Sequence, residues 1–372
     1  MTRKTDIGTV DRNLAADDSC AASAVFHTAD SPGFELAGLY WRKPGGAFSR
    51  LPEEMDCSFN PNLRILARQT SGAALRFRSD SGQVVIRAVV SGTRMVHMTP
   101  IGSMGFDLYV GFGNDAVFAG STKFPVEKDA YTCEVFTVSE RKMREFTVYF
   151  PLYTEVRQLE IGLAPDAKIQ PPEPWSDPRP VVIYGTSITQ GGCVSRPGMA
   201  YPNILGRLLQ RPVYNFGFSG NGRGEPEVAE KLAEIRDPAM YILDYDLNAH
   251  PERLERTLKP FIEILRARHP DVPILTVSAP PQAAEAYDPD SPYAGRFRGP
   301  FTQIHQQVHA ELRAAGDTEL YFQDGRGLYG ADFAECTVDG IHATDLGSYR
   351  FAHALAPLAS DILNRKRAPR KQ

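Results

Sequence analysis

The sequence predicts a parallel, three-layer α/β domain preceded by an all-β sandwich. From about residue 180 onward, short apolar runs alternate with helical periodicities, the succession from which parallel sheets with helices on both faces are built. Before about residue 165, short stretches that alternate apolar with polar residues follow one another between turn signals, with almost no helical period. That is the pattern of stacked antiparallel sheets. Between the halves, Gln170-Pro171-Pro172-Glu173-Pro174-Trp175 is too rich in proline to continue either pattern and reads as a linker. The expected organisation is a flexible leader over 1–32, a sandwich over 33–170, a linker over 171–178, an α/β domain over 179–365 and a basic tail over 366–372.

In the first half, β-branched and aromatic residues predict strands over 75–78, 84–90, 106–110, 146–150 and 159–163. In the second half, strands are expected over 181–184, 213–216, 240–243 and 274–277. Helices are expected over 200–209, 227–235, 254–268, 301–314 and 346–363. Val228, Leu232 and Ile235 share one helical face, as do Ile304, Val308 and Leu312. The stretch 280–300 holds several Pro and Gly and is expected to be a lid or a site-lining loop.

At 372 residues, with 42% hydrophobic and 23% charged residues, the chain has material for two full cores. A net charge of −4 gives no electrostatic reason to expect nucleic acid or an anionic membrane as partner. The five cysteines (Cys20, Cys57, Cys133, Cys193, Cys336) are scattered and form no C-x-x-C pair, which argues against a metal site or a disulfide framework. Cys193 is expected to be a buried, inert thiol near the site described next. No apolar run reaches signal-peptide or membrane-spanning length, so the expected location is cytoplasmic.

Chemistry concentrates in four loops. Val181-Val182-Ile183-Tyr184-Gly185-Thr186-Ser187 is a buried strand running into a small-residue turn, which places a serine hydroxyl at the carboxyl edge of the sheet. No Walker lysine, Gly-x-Gly-x-x-Gly or Gly-x-Ser-x-Gly is present. Asp339-Gly340-Ile341-His342 offers a base with an acceptor three residues ahead of it, able to fold back onto the imidazole. Gly220, in Asn215-Phe216-Gly217-Phe218-Ser219-Gly220, and Asn248, after Tyr245-Asp246-Leu247, each follow a predicted strand and could donate to an oxyanion. Alone, Gly220 reads as an ordinary turn and Asn248 as a helix cap; four such loops at one sheet edge form a constellation. The remaining histidines lack an Asp-x-x partner in a loop. Arg196 and Arg223 read as substrate-side or loop-fixing cations, with a structural ion pair the equal alternative for each.

The order of these blocks (Gly-Thr-Ser-Ile-Thr, Asn-x-Gly-x-Ser-Gly, Asn248, Asp-x-x-His) resembles the SGNH/GDSL hydrolase superfamily. Gly105-Phe106-Asp107-Leu108-Tyr109 is similar to the Gly-x-Asp-Leu-Tyr signature of a β-sandwich domain found ahead of such esterase domains. The resemblance implies a flavodoxin-like α/β/α domain with a parallel sheet behind a jelly-roll-like sandwich. It assigns Ser187 as nucleophile, Asp339 and His342 as its base pair, and the Ser187 N–H, Gly220 N–H and Asn248 amide as oxyanion donors. It implies a serine esterase acting on small acyl esters, acetyl esters of carbohydrates first among them, with no metal or organic cofactor. The partner implied is a small-molecule or saccharide ester; a homo-oligomer is compatible with the sequence. The alternatives are a transacylase or thioesterase of the same fold, or a carbohydrate-binding protein with an inactive α/β domain. The chain departs from the common motifs at Thr186 (usually Asp), Asp246 (usually Gly), Ala249 (usually Asp) and Ala343 (often Pro).

Overall fold

The computed structural model describes residues 7–16, 23–92, 95–288 and 298–365. The expected basic tail, residues 289–297 of the expected lid and part of the expected leader lie outside the described residues. Among the described residues, no helix is long and apolar enough to cross a membrane.

The second half forms a five-stranded parallel sheet. Its strands, in spatial order, are Val213–Gly217, Val181–Gly185, Met240–Asp244, Ile274–Val277 and Leu320–Gln323. The first strand in the chain therefore lies between the second and third. Connections leave it in opposite directions, and its carboxyl end is the crevice where open α/β sheets bind ligands. Strand alternation builds the three layers: Val182, Tyr184 and Leu243 pack with Leu254 and Phe261 in one core, while Val181, Ile183 and Ile242 pack with Phe351 and Leu355 in another. The expected strands appear within a residue of their predicted ends, and Leu320–Gln323 is an addition. That strand was hidden because Leu-Tyr-Phe-Gln is too short for a period to declare itself.

The first half is two antiparallel sheets. One orders Val25–Thr28, Thr154–Leu163, Gln83–Gly92 and Ala130–Thr137. The other orders Ile169–Gln170, Ala74–Ser79, Arg144–Tyr149, Asp107–Val110 and Val117–Ser121, with Glu35–Ala37 paired to Ala74–Ser79. Phe77, Ile86, Phe106, Phe146, Val148 and Ile161 fill the space between them. Two expectations change here. Val25–Thr28, read as leader, pairs with the strand Thr154–Leu163. The segment around the helix Asn62–Arg68, read as sandwich, buries Leu51, Met55, Leu63 and Leu66 in the core of the α/β half. Hydrophobic area is gained wherever a complementary face exists, and that face belongs to the other half.

Arg50 ties the halves together. It is fully buried and donates to the backbone oxygens of Leu66, Gln69, Asn215 and Gly217. Its guanidinium lies 4.7 Å from the Phe218 ring centroid. Burial pushes its pKa down to about 9. Gln190 makes a second tie, donating to Gln69 and to the Leu152 backbone while accepting from the Ser219 N–H.

Candidate active site

The nucleophile turn is built by its sequence. Thr186 caps the short helix Ser187–Gln190: its hydroxyl accepts from Ile188 N–H, and the Thr189 hydroxyl accepts from Thr186 N–H in return. A threonine can thus stand where the common motif has Asp, because the task is capping. Gly191, at φ 100°, ends the helix in the left-handed region. Ser187 is left as the first helical residue at the end of the central strand, 7% exposed.

Beneath the turn, Asp244 accepts from the hydroxyls of Thr189 (3.0 Å) and Tyr201 (3.1 Å). Burial raises its pKa to about 8, against those two hydrogen bonds, so the carboxyl is largely protonated near neutral pH. Burial, with help from the neighbouring His305 and Arg313, lowers His309 to about 4. A raised acid stabilises the fold most below its unfolded pKa and loses that contribution as pH rises through 8. A lowered histidine adds stability as pH rises from 4 to 6.5. Of these two groups, Asp244 alone changes its contribution between pH 6.5 and 8. Stability of the wild type should fall by about 1–2 kcal/mol across that window in denaturant titrations. Asp244→Asn should flatten the slope; an unchanged slope would refute the assignment.

His342 arrives from the loop before the final helix, Asp345–Asn364. An antiparallel bridge between Thr337 and Ala343, and Gly340 at φ 91°, close this loop into a tight turn. His342 Nε2 lies 2.8 Å from Ser187 Oγ, and Nδ1 lies 2.7 Å from Asp339 Oδ2. The other Asp339 oxygen accepts from the N–H groups of Ile341 (3.1 Å) and His342 (2.8 Å). Partial burial pushes the Asp339 carboxyl up, but these hydrogen bonds outweigh it and hold the group below the usual carboxylate range. An ionised carboxylate only accepts, so Nδ1 carries the proton and Nε2 is left to accept from the serine.

The pair opens onto a cleft of about 380 Å³. Gly220, Ser219 and Asn248 line one side; Leu247, Phe301 and Ile341 supply its apolar walls. Gly220 has φ +67°, and a Cβ there would meet nothing within 4 Å, so the glycine serves backbone conformation. Asn248 sits in the first turn of the helix Asp246–Arg268 rather than at its cap, and its amide donates to the Phe218 backbone oxygen at 3.2 Å. The helix starts well before the predicted residue 254 because Asp246 is buried, accepting from His305 and from Ala279 N–H. It breaks at His250 (φ 56°, ψ 164°), ahead of Pro251.

Four of the expected loops thus converge. Arg196 does not join them: it pairs with buried Asp107 (2.9 Å) and bonds the Tyr109 hydroxyl (2.6 Å). Asp107 also accepts from Gly198 N–H, so the Gly-x-Asp-Leu-Tyr segment is a dock for the 196–198 turn. Arg223 donates from Nε to the Gly220 backbone oxygen, fixing that loop. Sequence reasoning missed His97, whose ring lies 5.7 Å from that of His342; nothing local distinguishes it, because only the tertiary packing of the halves brings it there. The expected lid reaches the site at Gln282, and Ala283 N–H bonds the Gly340 oxygen.

His97, Cys193, Asp339 and His342 bring potential ligand atoms within 4.8 Å of one another. Asp339 and His342 already spend theirs on each other, which leaves two candidate ligands, His97 and Cys193. The set is a poor fit to a resident metal.

A family model of GDSL-like lipases and acylhydrolases matches residues 178–360, and one of the GxDLY N-terminus of SGNH-hydrolase-type esterases matches 24–169. A Bacteroides ovatus protein designated a GDSL-like lipase is 30% identical with a TM-score of 0.81, covering 92% of this chain and 99% of its own. The chain belongs to the GDSL-like lipase/acylhydrolase family. It is accordingly a hydrolase of the esterase type. The fold is shared more distantly with the salicylyl-acyltransferase SsfX3 of a tetracycline biosynthetic pathway (20% identity, TM-score 0.74, 93% of this chain and 100% of that one). It is also shared with a family two carbohydrate esterase from Cellvibrio japonicus (13% identity, TM-score 0.58, 92% and 98%). No curated protein matches the chain.

Proposed function

We propose that this GDSL-family protein is a serine esterase that removes small acyl groups, acetyl first, from saccharide esters. The observation that carries the reading is the continuous line Asp339–His342–Ser187, hydrogen-bonded at 2.7 and 2.8 Å and ending at an open cleft. In this reading Nε2 of His342 takes the Ser187 proton as Oγ attacks the ester carbonyl. The N–H groups of Ser187 and Gly220 and the Asn248 amide receive the oxyanion. His342 then protonates the leaving alcohol, and water repeats the sequence on the acyl-enzyme. The short apolar wall of Leu247, Phe301 and Ile341 supports a small acyl group, and the fold shared with carbohydrate esterases supports the saccharide. A cytoplasmic location is part of the same reading, supported by Cys57, Cys193 and Cys336, which are buried free thiols.

The test is acetate release from acetylated saccharides, with competing alcohol acceptors present to read out transfer. Asn248→Ala should lower kcat by about 10²-fold with little change in KM. A wild-type kcat in that variant would remove Asn248 from the oxyanion site.

A further inference from the structure

Beyond the nucleophile cleft lies a second, larger depression of about 520 Å³, which shares Gly220, Leu247, Asn248 and His250 with it. Its far side carries Arg223, Arg253 and Arg256, with Glu252 the one carboxylate in the lining. Such a concentration of positive charge stands out on a chain of net charge −4.

Many arginines elsewhere are ion-paired, such as Arg42 with Asp30, Arg266 with Asp317 and Arg350 with Asp332, while others, such as Arg50 and Arg313, are held by backbone oxygens. Among the described residues, no carboxylate lies within 4.0 Å of the Arg223, Arg253 or Arg256 guanidinium. Arg223 and Arg256 each spend Nε on a backbone oxygen, of Gly220 (2.8 Å) and Glu252 (3.1 Å). These bonds fix the stems and leave the paired Nη groups to face a ligand. His250 joins the two depressions, and its backbone is held at φ 56°, ψ 164°. Strain of this kind in a non-glycine residue concentrates where function needs a fixed geometry.

We propose that this groove binds an anionic substituent, carboxylate or phosphate, on the alcohol part of the substrate. The inference rests on the esterase reading above and narrows its substrate to acylated acidic saccharides. A short acyl group needs neither this volume nor this charge; a sugar bearing a carboxylate or phosphate uses both, because guanidinium forks match those groups bidentately.

The test compares kcat/KM for monoacetylated glucose, glucuronate and glucose phosphate, using the full chain and the double variant Arg253→Gln/Arg256→Gln. At least one anionic ester should exceed the neutral one by about tenfold, chiefly through KM, with the preference shrinking as salt is added. The double variant should bring that ratio towards one. The two anionic esters separate carboxylate from phosphate recognition. Equal rates for all three esters in the wild type, or a preference unchanged in the double variant, would overturn the proposal. Calorimetry of glucuronate and glucose phosphate with both proteins reads the groove without turnover. Absence of hydrolysis of every ester would count against the esterase reading alone, while the calorimetric difference would still decide the groove.

Discussion

Replacement of Ser187 by alanine is expected to lower turnover of a short-chain aryl ester by at least about 10³-fold, with the fold intact. The residue is 7% exposed, and its hydroxyl bonds His342 Nε2 at 2.8 Å, so truncation removes a nucleophile without opening a cavity of consequence. Circular dichroism and denaturation midpoints should therefore match the wild type. Retained turnover in Ser187→Ala would exclude the serine as nucleophile. Covalent labelling sharpens the test: an organophosphonate should modify the wild type at one residue and leave the variant untouched.

The second large effect is structural. Arg50→Met should destabilise the protein by roughly 3–5 kcal/mol, because four buried carbonyl oxygens lose their donor while a buried apolar chain gains little. Those oxygens belong to Leu66, Gln69, Asn215 and Gly217. Two of them belong to the strand that leads into the Gly220 loop, so kcat should fall as well. Arg50→Lys, with fewer and less well-directed donors, should fall between the two. Denaturant titration of all three proteins checks the ranking, and a loss below about 1 kcal/mol for Arg50→Met would show that water replaces the guanidinium without cost.

The α/β half was legible because its strands are short, apolar and buried on both faces, and because Ser187 follows a strand end while the Asp339–His342 pair sits in the loop ahead of the last helix. The spacing of Asp339 and His342 foretold their contact, since three residues of loop can fold a carboxylate onto its own imidazole. What stayed hidden depends on distant packing. No local signal marks His97, which reaches His342 only when the halves are assembled. The early start of the helix at Asp246 follows from a buried bond to His305, 59 residues away. The departure at Thr186 looked like a lost motif residue and is a helix cap. For Arg196 the sequence left a substrate-side cation and a structural ion pair open, because the partner that decides between them, Asp107, lies 89 positions earlier in the chain.

The four bonds of Arg50 and the reach of Gln190 to Gln69 and Leu152 carry a consequence for how such a protein can be rearranged. The front module braces the strand and turn behind the reaction chamber, so the pair cannot be shuffled like beads on a string. Grafting the rear module onto a foreign carrier would strip the Gly220 loop of its anchorage. The two modules are therefore expected to be inherited and altered as one piece.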